Sequence, residues 1–316
     1  LEIYRKVNGT VDPVEALELE GDLIKAVHEN NLELLKWTIS LGADVNGKDF
    51  ADRPLLIVAI ELNHFDIAKE LIRNGANVNV QDEQGRTPLM IVFDTTWDTH
   101  IVRDLIENGT DVNIKDANGS NILHFACVTN NQNLEVIKQI ISKGVDINSQ
   151  NNDGYTALIC ATANLSSDIV KELIANGADV NIAGNDGSTA LLTVLIAPVA
   201  IATAFDIDYA LAAKLTGLAS EEITEKLTLE QILEKAINKS TLIFNDLIAA
   251  GADVNAKLAS GNTTLLNAVS SQNVVAVKTL LAKGVDTKAK NSEGLTALDI
   301  AEKNENEEII ELLRNL

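Results

Sequence analysis

The chain has 316 residues, a formal charge of −21 and 46% hydrophobic residues, of which few are aromatic. That hydrophobic content excludes a disordered chain and points to an aliphatic core of Leu, Ile, Val and Ala. The charge repels phosphate backbones and anionic lipid headgroups, which excludes nucleic acid as a partner; a basic protein surface is the electrostatic expectation, beside plain solubility.

Residues 1–11 show no pattern and form a leader or irregular arm, and Leu1 in place of Met suggests a processed or trimmed start. Leu23, Ile24 and Val27, then Leu32, Leu34, Leu35 and Ile39, predict two short helices ending at Gly42. Glu15, Glu18 and Glu20 make this unit polar outside, as an end cap requires. The unit 54–79 predicts helices at 55–62 and 65–73. Units 87–113 and 121–148 follow the same plan, with extra residues between their helices at 94–99 and 129–133, where a stacked array tolerates length. The unit 156–181 is regular.

The pattern then breaks. Segment 190–205 carries no charge, but it is shorter than the roughly 20 residues of a membrane helix, and Pro198 interrupts it. It reads as a buried, kinked or lengthened helix pair, with an interfacial segment as the alternative. Ser220-Glu221-Glu222-Ile223 opens a short extra helix. Thr228-Leu229-Glu230-Gln231 has capping-box form and predicts helices at 228–238 and 241–249. Residues 264–288 are regular again. The last unit, 296–316, has a strongly polar exterior that suits a C-terminal cap and a natural chain end.

One stretch closes each unit. Leu41-Gly42-Ala43-Asp44-Val45-Asn46 returns at Gly75, Gly109, Gly144, Gly177, Gly251 and Gly284, with spacings of 33, 34, 35, 33, 74 and 33 residues. Glycine takes the left-handed conformation that ends a helix, and Asp and Asn bond their own backbone in the turn that follows. A fixed period of this length marks a repeat array. The gap of 74 divides into two units of about 37, giving about nine units in all. Gly85-Arg86-Thr87-Pro88-Leu89 opens one repeat. Gly154-Tyr155-Thr156-Ala157-Leu158, Gly187-Ser188-Thr189-Ala190-Leu191 and Gly294-Leu295-Thr296-Ala297-Leu298 open others. Ile122-Leu123-His124-Phe125-Ala126 keeps a Leu-His-x-Ala run.

In these motifs the chain resembles the ankyrin-repeat family over about residues 20–316. The resemblance implies an all-α solenoid of stacked helix-turn-helix units with hairpin tips. Residues 12–316 then form a single array. It has an N-terminal cap unit at 12–46, regular repeats at 47–188, a divergent or inserted helical segment at 189–227, repeats at 228–288 and a C-terminal cap unit at 289–316.

No catalytic constellation is present in the sequence. There is no His-x-x-x-His or Cys-x-x-Cys pair for zinc and no phosphate-binding Gly-rich loop, so no cofactor or metal is expected. Cys127 and Cys160 sit at different positions of their repeats and read as small buried residues rather than a bridge. A reducing compartment fits them. The resemblance gives His124 and His64 structural roles in turns.

A binding surface remains. In the family, turn tips and first helices face the partner. On this chain the tips place Phe50; Glu83, Gln84 and Arg86; Asn118 and Ser120; Asn152, Asp153 and Tyr155; and Asn185, Asp186 and Ser188. Tyr155 is the strongest single anchor, since Tyr is enriched at interface hot spots. Phe50 is a second and Trp97, in the extended loop, a third. The expected function is a non-catalytic, monomeric scaffold in the cytoplasm that binds another protein on its concave face, without membrane attachment. Two alternatives stand beside it. The chain is the recognition arm of a larger protein or an effector secreted into a host cell, or segment 189–227 binds a small ligand or a membrane.

Overall fold

The computed structural model describes residues 13–96, 98–128, 134–207 and 229–315. Among them are sixteen α-helices and no strand. The chain divides into two compact units, Leu1–Phe125 and Ala126–Leu316.

The first unit contains α1 (Pro13–His28), α2 (Leu32–Ser40), α3 (Leu55–Glu61), α4 (Phe65–Arg73), α5 (Pro88–Thr95), α6 (Thr99–Glu107) and the start of α7 (Ile122–Val128). Helices this short are not stable alone in water, so their order comes from packing. The first helices form one layer, α1 on α3 and α3 on α5; the second helices form another, α2 on α4 and α4 on α6. In α3 every residue from Leu55 to Ile60 is buried, because the helix has neighbours on several sides. In α4 only Ile67, Ala68, Leu71 and Ile72 are buried, a single stripe, while Asp66 and Arg73 face water. Each such Leu, Ile or Val side chain contributes about 1.5–3 kcal/mol on burial. The spacing of apolar residues predicts these two helices to within one residue at each end. His64 joins neighbours: its Nδ1 lies 2.8 Å from the carbonyl oxygen of Val27.

The second unit contains the end of α7, α8 (Leu134–Ser142), α9 (Ala157–Ala163), α10 (Ser167–Ala175), α11 (Ala190–Ile207), α12 (Leu229–Ala249), α13 (Thr264–Ser270), α14 (Val274–Ala282), α15 (Ala297–Lys303) and α16 (Glu307–Arg314). Its layers run α9, α11, α13, α15 and α8, α10, α12, α14, α16. Here the structure differs from the expected two units between Gly177 and Gly251. The described residues of that interval supply one helix pair, α11 and α12, and each member occupies a single place in its layer. Segment 190–205 accordingly lies in one lengthened helix, with Pro198 inside it, rather than in a pair. The predicted break near residue 240 is also absent, and α12 runs unbroken for 21 residues. No Gly or Pro interrupts it, and the Ser240 and Thr241 hydroxyls donate back to the Ile237 carbonyl instead of capping a new helix. The predicted arm at 1–11, Trp97 and the short helix at residue 220 lie outside the described residues.

The closing stretches do more than turn the chain. All seven glycines have positive φ, between 74° and 100°. The Asp that follows bonds its own loop, as in Asn46 N–H to Asp44 Oδ1 at 2.9 Å and Asn181 N–H to Asp179 Oδ1 at 2.9 Å. The side chain of the Asn instead reaches the next repeat at Asn46, Asn79, Asn148 and Asn181. In the first unit Asn46 Oδ1 accepts from Asn77 N–H at 2.7 Å, and Asn79 Oδ1 accepts from Asp111 N–H at 2.8 Å. In the second, Asn148 bonds Asp179 N–H and the Gly177 carbonyl, at 2.8 and 3.1 Å. Asn181 bonds Asp253 N–H and the Gly251 carbonyl, at 2.8 and 3.2 Å. This last step spans 72 residues of sequence and is geometrically the same as the others.

Candidate partner-binding surface

Each repeat begins with a five-residue tip. In the tip 82–86, Asp82 N–H donates to the Arg86 carbonyl at 3.0 Å and Gly85 N–H to the Asp82 carbonyl at 2.9 Å. The same two bonds recur in tips 49–53, 116–120, 151–155, 184–188, 258–262 and 291–295. The first residue of the tip locks it. Asp82 Oδ1 accepts from the N–H groups of Gln84 and Arg86, at 2.9 and 2.7 Å. Asp49, Asp116, Asn151 and Asn291 do the same in theirs. The tip then hands over to a Thr that caps the first helix: Thr87, Thr156, Thr189, Thr263 and Thr296 each accept from a backbone N–H three residues on.

Tips of adjacent repeats are joined. In the first unit Ala117 N–H donates to the Gln84 carbonyl at 2.7 Å. In the second, Asn185 N–H donates to the Asp153 carbonyl and Ala259 N–H to the Asp186 carbonyl, both at 2.8 Å. The backbone is therefore held, and the side chains that vary between tips project from a fixed frame.

The proposed contact residues differ in how free they are. Phe50 is 90% exposed, the most exposed large apolar side chain described. Glu83, Gln84, Asn118, Asn152, Asp153, Asn185 and Asp186 are exposed; Arg86, Ser120, Tyr155 and Ser188 are partly covered. Arg86 is engaged within its own repeat, with Nε 2.8 Å from Asp82 Oδ2 and Nη1 3.0 Å from Asp94 Oδ2. Arg53 repeats the arrangement between Asp49 and Glu61, at 2.7 and 3.0 Å. Tyr155 lies against the next tip: its hydroxyl donates to Asp186 Oδ2 at 3.0 Å. Its ring covers Gly184 so closely that a Cβ there would be 2.5 Å from the ring edge. Ser188 also donates to Asp186, from N–H at 2.9 Å and from the hydroxyl at 2.7 Å.

The electrostatics follow from these bonds. Burial acts against ionisation of Asp49, but the Arg53 side chain and the Arg53 and Ala51 N–H groups outweigh it and hold the carboxyl below its usual range. Asp186 behaves alike: burial raises it, while Ser188 and Tyr155 lower it further than that. Tyr155 is raised, by burial and then by its bond to Asp186. Neither cysteine is bridged. Burial pushes the Cys127 thiol well up and the Cys160 thiol up to about 11, so neither is an activated nucleophile at neutral pH. His124 is buried, its Nδ1 2.7 Å from Asn121 Oδ1 at the start of its own helix. Among the described residues no group of three or more His, Cys, Asp or Glu side chains could hold a metal ion, and no helix is long and apolar enough to cross a membrane.

The tip-locking Asp or Asn was not singled out by sequence, although its signal was present as Asp49, Asp82, Asp116, Asn151 and Asn291 at one position of the period. The ladder Asn was expected to bond its own turn, and its side chain reaches the next repeat instead.

Stacked helix pairs with bonded tips define an α-helical repeat array. The family pattern for ankyrin repeats matches the chain in three copies, over residues 23–116, 95–184 and 233–316, and the chain belongs to the ankyrin-repeat family. The interval left between copies, 185–232, holds α11 and the start of α12. A comparison with curated proteins gives no significant match. Ankyrin repeats generally mediate protein–protein interaction and are typically non-enzymatic.

Proposed function

We propose that this chain is a non-catalytic, monomeric binding scaffold that holds a partner protein through its tips. In the first unit the contact residues are Phe50; Glu83, Gln84 and Arg86; and Asn118 and Ser120. In the second they are Asn152, Asp153 and Tyr155, then Asn185, Asp186 and Ser188. One observation carries this reading. The tips are pre-ordered by bonds within and between repeats, so a partner binds them without first having to order them. Phe50 supplies an uncovered aromatic for a partner's pocket, the kind of anchor that dominates interface energies. Glu83, Asp153 and Asp186 supply negative charge, which suits a basic surface on the partner. Arg86 and Tyr155 act chiefly by fixing the tips around them.

A crosslinking-coupled pull-down tests this, with Phe50→Ala and Tyr155→Ala run in parallel. A protein partner is retained by the wild-type chain, and its capture falls by about tenfold with Phe50→Ala, the scale of one hot-spot residue. Retrieval of no partner, together with positive hydrolase or transferase assays, contradicts it.

A further inference from the structure

Residues 251–292 hold five lysines and only two acidic residues, in a chain whose charge is −21. Lys257, Lys283, Lys288 and Lys290 are exposed, and none of them forms an ion pair among the described residues; Lys278 in the same stretch pairs with Glu308 at 2.7 Å. Lys257 and Lys290 occupy the same position in consecutive repeats, directly before a tip. At that position a side chain reaches both its own tip and the next repeat: Gln150 Nε2 donates to the Gly154 carbonyl at 2.6 Å and to the Ala183 carbonyl at 3.1 Å.

The tip between these lysines is open where others are closed. A Cβ at Gly154 would lie 2.8 Å from Asn185 N, and one at Gly187 2.8 Å from the Lys257 carbonyl oxygen. At Gly261 the nearest atoms would be Ser292 N at 3.6 Å and Lys257 Cε at 3.8 Å. Asn185 and Ala259 donate their N–H to the preceding tip. Ser292 stands at the equivalent position, is exposed, and its N–H has no acceptor among the described residues. An unbonded backbone donor therefore sits beside the Lys257 stem, two residues along the chain from Lys290. Asp299 lies near Lys290, but its carboxylate is held by the Thr296 N–H and hydroxyl, at 2.8 and 2.7 Å. Glu293 is the other acidic group at this tip.

We infer that the tips 258–262 and 291–295 form a site for a short acidic peptide segment of the partner. A carboxylate accepts from Ser292 N–H, and Lys257 and Lys290 flank it. Lys288 and Lys283 extend the positive surface. The segment is short because charges are screened over about 8 Å at physiological salt. A few carboxylates feel the local lysines alone, whereas a nucleic-acid duplex or a lipid surface also meets the acidic remainder of the chain. The inference rests on the reading of the chain as a protein-binding scaffold and adds a second, oppositely charged contact to it.

The test is fluorescence anisotropy of labelled hexaglutamate with the full chain at about 50 mM salt, where such attraction is strong. The wild-type chain binds, and binding is lost at high salt. Lys257→Gln with Lys290→Gln weakens it by about tenfold, the sum of two modest charge contacts. Ser292→Pro removes the N–H and also weakens binding. Proline is favoured at this second position of the turn closed by Gly294 N–H to the Asn291 carbonyl at 3.0 Å, so circular dichroism and Tm stay unchanged. Lys48→Gln with Lys115→Gln, the same position in the first unit, leaves binding unchanged. The inference is overturned if wild-type chain fails to bind, if either the lysine or the proline variant binds as wild type, or if duplex DNA or phosphatidylserine vesicles bind more tightly. Failure here with partner capture intact removes this site alone; hexaglutamate binding without capture of any partner removes the scaffold reading.

Discussion

At the scale of single residues, the stacking of repeats depends on asparagine. Asn148 makes two bonds to the following repeat, and each contributes about 0.5–1.5 kcal/mol net. Asn148→Ala is therefore expected to lower stability in urea by about 1–2 kcal/mol. Asn255 holds the same place in its stretch, but its side chain makes no bond to the next repeat, so Asn255→Ala changes stability by less than about 0.5 kcal/mol. Equal losses in the two variants would show that the ladder does not stabilise stacking. The aspartate half of this motif was legible in the sequence, because its bond is local. The asparagine half was not, since its partner lies 31 residues on and only stacking brings it near.

Asp49 gives a pH test at the same scale. Its side chain is 3% exposed and pairs with Arg53. Asn151 and Asn291 serve the same tip position, so Asp49→Asn keeps the turn and loses the charge pair, at a cost of about 1 kcal/mol at neutral pH. The folded carboxyl titrates below the ordinary aspartate value. Its contribution is therefore complete above that value and is lost as pH falls through the lower folded pKa. The urea midpoints of wild type and variant should converge in that acid range. A gap that widens on acidification would contradict the ion-pair account.

At the scale of elements, the interval between Gly177 and Gly251 was misread because length was divided by period. Alanine-rich apolar text has no caps to mark where a helix stops, and two helices were expected at 228–238 and 241–249 where α12 runs unbroken. Stacking resolves the ambiguity: α11 packs between α9 and α13, α12 between α10 and α14, and Asn181 reaches Asp253 directly. The regular helices were legible, since Gly, Thr and Asn mark both of their ends. The ladder also predicts where the second unit is weakest. Neither Asn255 nor Ser292 N–H links tip to tip beyond residue 262, so α15 and α16 are held mainly by helix packing and the Lys278–Glu308 pair. Native-state hydrogen exchange should find the amides of α15 and α16 less protected than those of α9 and α10. Equal protection would mean that the inter-repeat bonds add nothing to local stability.

At the scale of the whole molecule, the fold was readable because its information is periodic: seven glycines announce it before any contact is known. The candidate surface was readable only in outline. Phe50 was among the expected contacts, and it is the most exposed large apolar side chain described. Tyr155 was ranked first for its residue type, yet its ring and hydroxyl are engaged with Gly184 and Asp186, a contact that lies in the next repeat. The lysine-rich stretch was invisible in a total charge of −21. The central claim is that the bonded tips, not the outer faces of the second helices, carry the partner. The measurement that tests it most directly is mass-spectrometric mapping of crosslinks between this chain and its captured partner. Crosslinks and protection should concentrate on the tips 49–53, 82–86, 116–120, 151–155 and 184–188. A map centred on the exposed sides of α4, α6, α10 and α14, with the tips unprotected, would contradict the account.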